Sequence, residues 1–192
     1  MSDPRPLRDL HSSAGGDPDL ADVVAAQANR AAFDVLYRRY LDRVYGYAFY
    51  QLDDHHDAED ATERTFLAAL RALSTFHDEG ATFRAWLFRI AHNTIANARR
   101  SRFRRRTEPI PDDLQRAAPN ADPAGLLLEA EEGRRVRRAV AELPDDRRQV
   151  VLLRFVDGLS SREIGQVMDR SEGAARVLLH RALRDLAARL GS

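Results

Sequence analysis

Cysteine and lysine are both absent from this 192-residue chain, and tryptophan occurs once. Without cysteine there is no disulfide, no thiolate ligand for zinc or an iron–sulfur cluster, and no redox sensing through the chain's own thiols. No stretch approaches the roughly 18 consecutive apolar residues that a membrane span needs. The opening, MSDPRPLRDLHSSAGGDPDL, has no apolar run behind its charges and does not read as a secretory signal. These absences predict a cytoplasmic protein. There is no glycine-rich phosphate loop, no Ser/His/Asp order and no paired-carboxylate context, so no enzyme, cofactor or small-molecule substrate is expected. Runs of alternating β-branched residues are missing too, which leaves an all-α fold.

What the chain does have is charge arranged in blocks. All 30 basic residues are arginine, and they balance 30 acids to a formal net charge of zero. Acids exceed arginines by 3 over residues 1–28 and by 4 over 29–79. Residues 80–107 then carry 8 arginines and no acid, residues 108–133 a net charge of −6, and residues 134–192 a net charge of +5. Every cationic site offers a planar fork suited to phosphate and to guanine edges, and such alternation bears on partners more than the neutral total does.

The hydrophobic pattern divides the chain into four parts. Residues 1–27, rich in Pro, Gly, Ser and Asp, read as a flexible tail, with a short helix at its end in DLADVVAAQA. Residues 28–106 form a helical bundle. Phe33, Leu36, Tyr37, Tyr40, Leu41, Val44, Tyr45 and Ala48 recur at helical spacing. DDHHDAED opens a second helix with acids at its positive dipole end. Residues 107–132, with four prolines and many acids, read as a flexible acidic linker. Residues 133–192 carry four short helical patterns, with SSRE at Ser160–Glu163 a capping box and Ser171 an N-cap.

Two stretches suggest nucleic acid. In FRAWLFRIAHNTIANARRSRFRRR, residues 83–106, the positions Phe83, Leu87, Ile90, Ala91, Thr94 and Ile95 make one buried face. Arg89, Asn93, Asn97 and Arg100 fall on another, flanked by His92 and Arg99, and Arg102, Arg104, Arg105 and Arg106 follow for phosphates. Arginine and asparagine pair bidentately with guanine and adenine edges. A basic helix can equally be a solvated face, or dock on the acidic helix before it. In SSREIGQVMDRSEGAARVLLHRALRDL two short helices share an apolar face across a turn at Asp169–Arg170, which is helix–turn–helix spacing. His55, His56, Asp57 and Glu59 offer no metal site, since adjacent histidines leave a helix on different sides and no third imidazole supports them.

Four stretches in order, AAFDVLYRRYLDRVYGYA, DAEDATERTFLAALRALSTF, FRAWLFRIAHNTIANARR and ELPDDRRQVVLLRFVDGLSSREIGQVMDRSEGAARVLLHRAL, resemble bacterial RNA polymerase sigma factors of the extracytoplasmic-function (ECF) class, in the sigma-70 family. The resemblance implies two small helical domains joined by the linker: a sigma-2-like bundle over 28–106 and a sigma-4-like helix–turn–helix over 133–192. It implies a function in binding core RNA polymerase, directing it to promoters and assisting melting, without catalysis. The helix from Asp57 to Phe76 matches the surface that docks on the clamp helices of the largest subunit, with Asp57, Asp60, Glu63 and Arg64 exposed. Glu63-Arg64 stands where the family usually has Gln-Glu.

The loop from Phe76 to Thr82 matches the segment that captures a flipped −10 base, with His77 a base contact, and the next helix matches the element that reads and melts that region. Its DNA residues are then Arg84, Trp86, Arg89, His92, Asn93, Asn97, Arg99 and Arg100. Trp86 is either core or a stacking wedge. Ser171, Glu172, Ala174, Arg176, His180 and Arg181 match the −35 recognition helix, although Ala174–Ala182 lacks one basic and two hydroxyl positions that many members have. The sigma-4-like domain is expected to meet the polymerase beta flap, the linker to thread the RNA channel, and an anti-sigma partner, often membrane-anchored, to hold the protein inactive. The rival readings are a helix–turn–helix regulator that never meets core polymerase and a helical scaffold.

Overall fold

A computed structural model of the chain describes residues 17–78, 80–107 and 126–191, the side chains of 102–107 and 126–132 excepted. Residues 1–16, residues 108–125 of the expected linker and the side chains of the arginines at 102–106 therefore lie outside what is described below, while residues 126–132, expected as linker, are helical.

The described residues are helical, in the order α1 (Leu20–Ala28), α2 (Phe33–Leu52), α3 (His55–Ala72), α4 (Phe83–Thr107), α5 (Leu126–Ala141), α6 (Asp145–Phe155), α7 (Ser161–Met168) and α8 (Glu172–Leu190), with single 3-10 turns before α2 and after α3. Local chemistry sets several starts. Asn29 accepts from the Ala31 N–H at 3.0 Å, and Asp54 from the Asp57 N–H at 3.0 Å. Ser160 and Glu163 make a reciprocal capping box, and Ser171 Oγ accepts from the Ala174 N–H at 3.2 Å. Caps of this kind contribute about 1 kcal/mol each. α2 ends on Asp53 and α7 on Asp169, both in the left-handed conformation (φ 53° and 55°) that acid side chains tolerate better than bulkier ones.

In the first bundle α2, α3 and α4 enclose Leu36, Tyr40, Val44, Tyr47, Ala58, Phe66, Phe83, Leu87 and Ile95. α1 belongs to this bundle: Val23 and Ala26 are buried in it, so residues 17–27 are not a tail but its first packed element. In the second unit α6, α7 and α8 close over Val150, Leu153, Leu159, Ile164, Val167, Ala175 and Ala182. A Cβ on Gly165 would sit 2.6 Å from the Arg170 carbonyl oxygen, so only glycine lets the helix–turn–helix close this tightly.

The two units pack on each other. α7 lies across the N-terminal half of α4, and α6 lies against α2. α4 is consequently covered on two sides. Besides the expected face, Ala85 and Phe88 are buried, the latter edge-on to Tyr47 at 5.6 Å between ring centroids, while Ile90 and Thr94 are only half-buried.

Candidate nucleic-acid and polymerase interfaces

The polar stripe on α4 forms as the spacing requires. Arg89, Asn93, Asn97 and Arg100 are all exposed on one side, and Arg100 donates to Asn97 Oδ1 at 2.5 Å. The stripe is rigid because its opposite face is the bundle core. His92, beside it, is half-buried with Nδ1 3.4 Å from the Tyr47 hydroxyl, and burial lowers its pKa from the ordinary value. A neutral imidazole at neutral pH adds no charge to the stripe.

The aromatic question at the start of α4 has a specific answer. Trp86 is half-buried, packed on Phe76 and Phe83 at ring-centroid distances of 5.3 and 5.5 Å. It is thus both a core member and partly open to solvent. The Phe76 side chain is buried, so it supports the loop from beneath, whereas His77 stands exposed in the loop itself.

Other expected contacts are engaged inside the molecule. Arg84 donates to both carboxylate oxygens of Glu163 at 2.8 Å, and Thr82 Oγ1 donates to the same carboxylate at 2.7 Å. Glu163 is at the same time the capping residue of α7. Burial alone would raise its pKa, but the Ser160 backbone N–H, Arg84 and Thr82 together hold it below the ordinary glutamate range. Arg99 is half-buried and donates to Asp145 of α6 at 2.6 Å. The Gly80 carbonyl accepts from Gln166 and, at 3.4 Å, from Arg162 of α7. In this arrangement the loop before α4 and the helix α7 cover each other.

Asp157, in the turn between α6 and α7, is fully buried and neither carboxylate oxygen has a hydrogen-bond partner. Burial pushes its pKa up to about 8, against the pull of Arg43 and Arg84 from the first bundle. Neither this group nor the ion pairs across the units carry a sequence signal, since each joins residues far apart in the chain.

On the other side of the first bundle, α2 and α3 leave a groove of about 630 Å³ lined by Phe33, Tyr37, Leu41, Tyr45, Phe66, Leu67 and Leu70, with Asp42, Glu59, Thr62 and Glu63 also lining it. Tyr37 and Leu67 are 38% and 42% exposed. The apolar stripe expected on α2 therefore splits: Leu36, Tyr40 and Val44 enter the core, and Tyr37, Leu41 and Tyr45 face the groove. Of the expected docking residues, Glu63 lines the groove; Asp60 and Arg64 are exposed and paired at 3.4 Å, and Asp57 is half-buried at the start of α3.

On α8, Ser171 is spent as the cap, while Glu172, Ala174, Arg176, His180 and Arg181 are exposed as the helix–turn–helix spacing demands. Arg176 is paired with Glu172 at 2.5 Å, and Val177 between these positions is 51% exposed. No helix among the described residues is long and apolar enough to cross a membrane.

Comparison with known proteins agrees with this division. Residues 36–105 match the model of Sigma-70 region 2, and residues 133–186 match that of Sigma-70, region 4. The ECF RNA polymerase sigma factor BldN of Streptomyces coelicolor is 37% identical over 92% of this chain and 69% of its own. The ECF RNA polymerase sigma factor SigE of Mycolicibacterium smegmatis is 34% identical over 86% of this chain and 64% of its own. Among solved structures, CnrH in complex with the cytosolic domain of CnrY superposes with a TM-score of 0.69 at 26% identity, covering 91% of this chain and 98% of CnrH. A region 2 bundle carrying a basic, asparagine-bearing helix, followed by a region 4 helix–turn–helix, places the chain in the ECF family of RNA polymerase sigma factors.

Proposed function

We propose that the chain's surfaces divide the work of initiation. The α2–α3 groove, apolar at its floor and acidic at Asp42, Glu59 and Glu63, takes the clamp helices of the polymerase largest subunit. The stripe Arg89, Asn93, Asn97 and Arg100 on α4 reads and helps to open the −10 region, with Trp86 stacking at its exposed edge. The exposed face of α8 enters the major groove at the −35 element, and the second unit reaches the beta flap. The observation that carries this reading is the stripe itself: four side chains able to bond bases or phosphates, aligned on a helix whose other faces are fixed by packing.

Opening a duplex without a nucleotide-driven motor requires binding energy. Unstacking an extruded base costs a few kcal/mol, and arginine–phosphate contacts and stacking can offset it. Arg84, Arg99 and the Gly80 carbonyl are held by α7 and α6, so full use of the −10 surface requires the second unit to swing away as core polymerase separates the two. An anti-sigma partner that favours the packed arrangement would keep the protein inactive, and CnrH is seen bound to the cytosolic domain of CnrY.

The test is transcription from a genomic fragment library by purified core polymerase plus this protein. Promoter-specific transcripts that vanish without the protein are expected. Their absence from every fragment overturns the reading. Leu67→Arg in the groove is expected to weaken core binding by about 30-fold, the loss typical of an interface hot spot.

A further inference from the structure

Residues 17–28 hold the −10-type loop at both of its ends. At the entry, the side-chain amide of Gln27 donates one hydrogen bond to the Leu73 carbonyl at 2.9 Å and one to the Phe76 carbonyl at 3.0 Å. These carbonyls stand where α3 has ended and the loop departs. At the exit, Asp17 Oδ2 accepts from the Phe83 N–H at 2.5 Å, at the first residue of α4. Between these two points the strap is tied down. Asp19, itself buried, accepts from the Tyr40 hydroxyl and from Arg39, and Arg39 also donates to Asp22 at 2.6 Å. Val23 and Ala26 are buried in the bundle core.

A helix end is usually capped by residues near it in sequence. Here both loop ends are satisfied by one segment more than forty residues away. Gln27 is exposed and fills no space in the core, so its contribution at this place is the fixed direction of two backbone carbonyls. A loop that holds one extruded base must keep its backbone within a fraction of an ångström of the productive geometry, because base discrimination rests on short, directional hydrogen bonds.

We propose that Gln27 and Asp17 are positioning residues for promoter reading: they fix the loop that opens after Phe76 and closes at Phe83, and so set its selectivity for the base it holds. The inference rests on the sigma-factor reading of that loop, and the experiment separates the two. Wild-type holoenzyme is first assembled on a promoter fragment that it selects itself, with the −10 non-template strand single-stranded. Each base of that strand is then changed in turn and binding is measured, together with core affinity and melting temperature of the protein.

For Gln27→Ala, a loss of about tenfold in discrimination at one strand position is expected, the effect of two hydrogen bonds removed. Core affinity should stay within about twofold and the remaining strand positions should be unaffected. Gln27→Glu, which keeps the shape but sets a carboxylate against two carbonyls, should lose more than the alanine variant. Asp17→Ala should disturb the same strand position from the other end. Unchanged discrimination in folded Gln27→Ala and Gln27→Glu overturns the proposal. So does a uniform loss across all positions that follows core affinity, or the unfolding of all three variants, since each assigns the strap to stability alone. If wild-type protein itself shows no base preference, the reading of the loop fails, and the proposal with it.

Discussion

α4 and α8 are both arginine-bearing helices expected to meet DNA, yet the fold treats them differently. α8 stands at the surface with Arg176, His180 and Arg181 in solvent, and its ion pairs stay within its own unit: Arg176 with Glu172 inside the helix, Asp185 with Arg147, and Arg189 with Glu142. α4 is clamped on two sides, and two of its cations are bonded to the other unit, Arg84 to Glu163 and Arg99 to Asp145. By charge α4, with eight arginines and no acid, exceeds α8, with four arginines and two acids. Their partners separate them: the outward residues of α8 are open in this arrangement, whereas on α4 only the stripe from Arg89 to Arg100 is, Arg84 and Arg99 being bonded to the other unit.

Charge reversal gives the largest contrast. Arg89→Glu is expected to reduce open-complex formation by about 30-fold or more, through loss of a bidentate or phosphate contact and added repulsion, and to leave core affinity unchanged. Arg181→Glu on α8 should instead weaken binding to duplex promoter, with a −35-dependent loss. If both variants fail in the same step, the distinction between the helices is broken.

Glu163→Gln tests what holds α4. The amide still serves the cap but loses the ion pair with Arg84, and a loss of about 1–3 kcal/mol in urea unfolding is expected. A distance probe placed on the two units should report more separation. An unchanged distance would mean that packing alone holds them.

Asp157 lies where α6 and α7 meet the first bundle, and its titration has a definite sign. Its folded pKa of about 8 lies above the ordinary 3.8, so the stability associated with its neutral form is complete below about pH 4 and is lost as pH rises toward and through 8. Asp157→Asn should flatten the fall in melting temperature between about pH 4 and pH 8 and stabilise the protein at the alkaline end by about 1 kcal/mol or more. An identical pH profile in the variant contradicts the burial of a charged carboxylate there.

The smallest effect is predicted on α8. Glu172→Ala removes an exposed pair that contributes about 0.3–0.5 kcal/mol, and frees Arg176. Duplex promoter binding should rise by less than about threefold, with a stronger dependence on salt.

Much of this arrangement was legible in the sequence wherever the determinant is local. The 3.6-residue spacing gave α2, α3 and α4, and the Ser160–Glu163 box and Ser171 gave the starts of α7 and α8. The stripe Arg89, Asn93, Asn97 and Arg100 followed from the same periodicity. What the sequence did not give depends on contacts between distant residues. Periodicity puts Tyr37, Leu41 and Tyr45 on the apolar stripe of α2 with Leu36, Tyr40 and Val44, but only the placement of α3 decides that the first three line an open groove. Composition marks residues 1–27 as a tail with a short helix at its end, yet Asp17, Asp19 and Asp22 are bound by the Phe83 N–H, Tyr40 and Arg39. Phe88 and Ala85 are core although they lie off the expected face, Phe88 being packed on Tyr47 of α2. Trp86 was open between core and wedge, and its half-burial over Phe76 and Phe83 gives it a share of each.

The most direct measurement of the role assigned to α4 is open-complex formation by reconstituted holoenzyme carrying Asn93→Ala. It is followed by fluorescence of an adenine analogue in the −10 non-template strand, with core affinity measured in parallel. Opening is predicted to fall by about tenfold while core affinity stays within about twofold. Equal loss of both, or undiminished opening, would contradict the assignment of the stripe to the promoter.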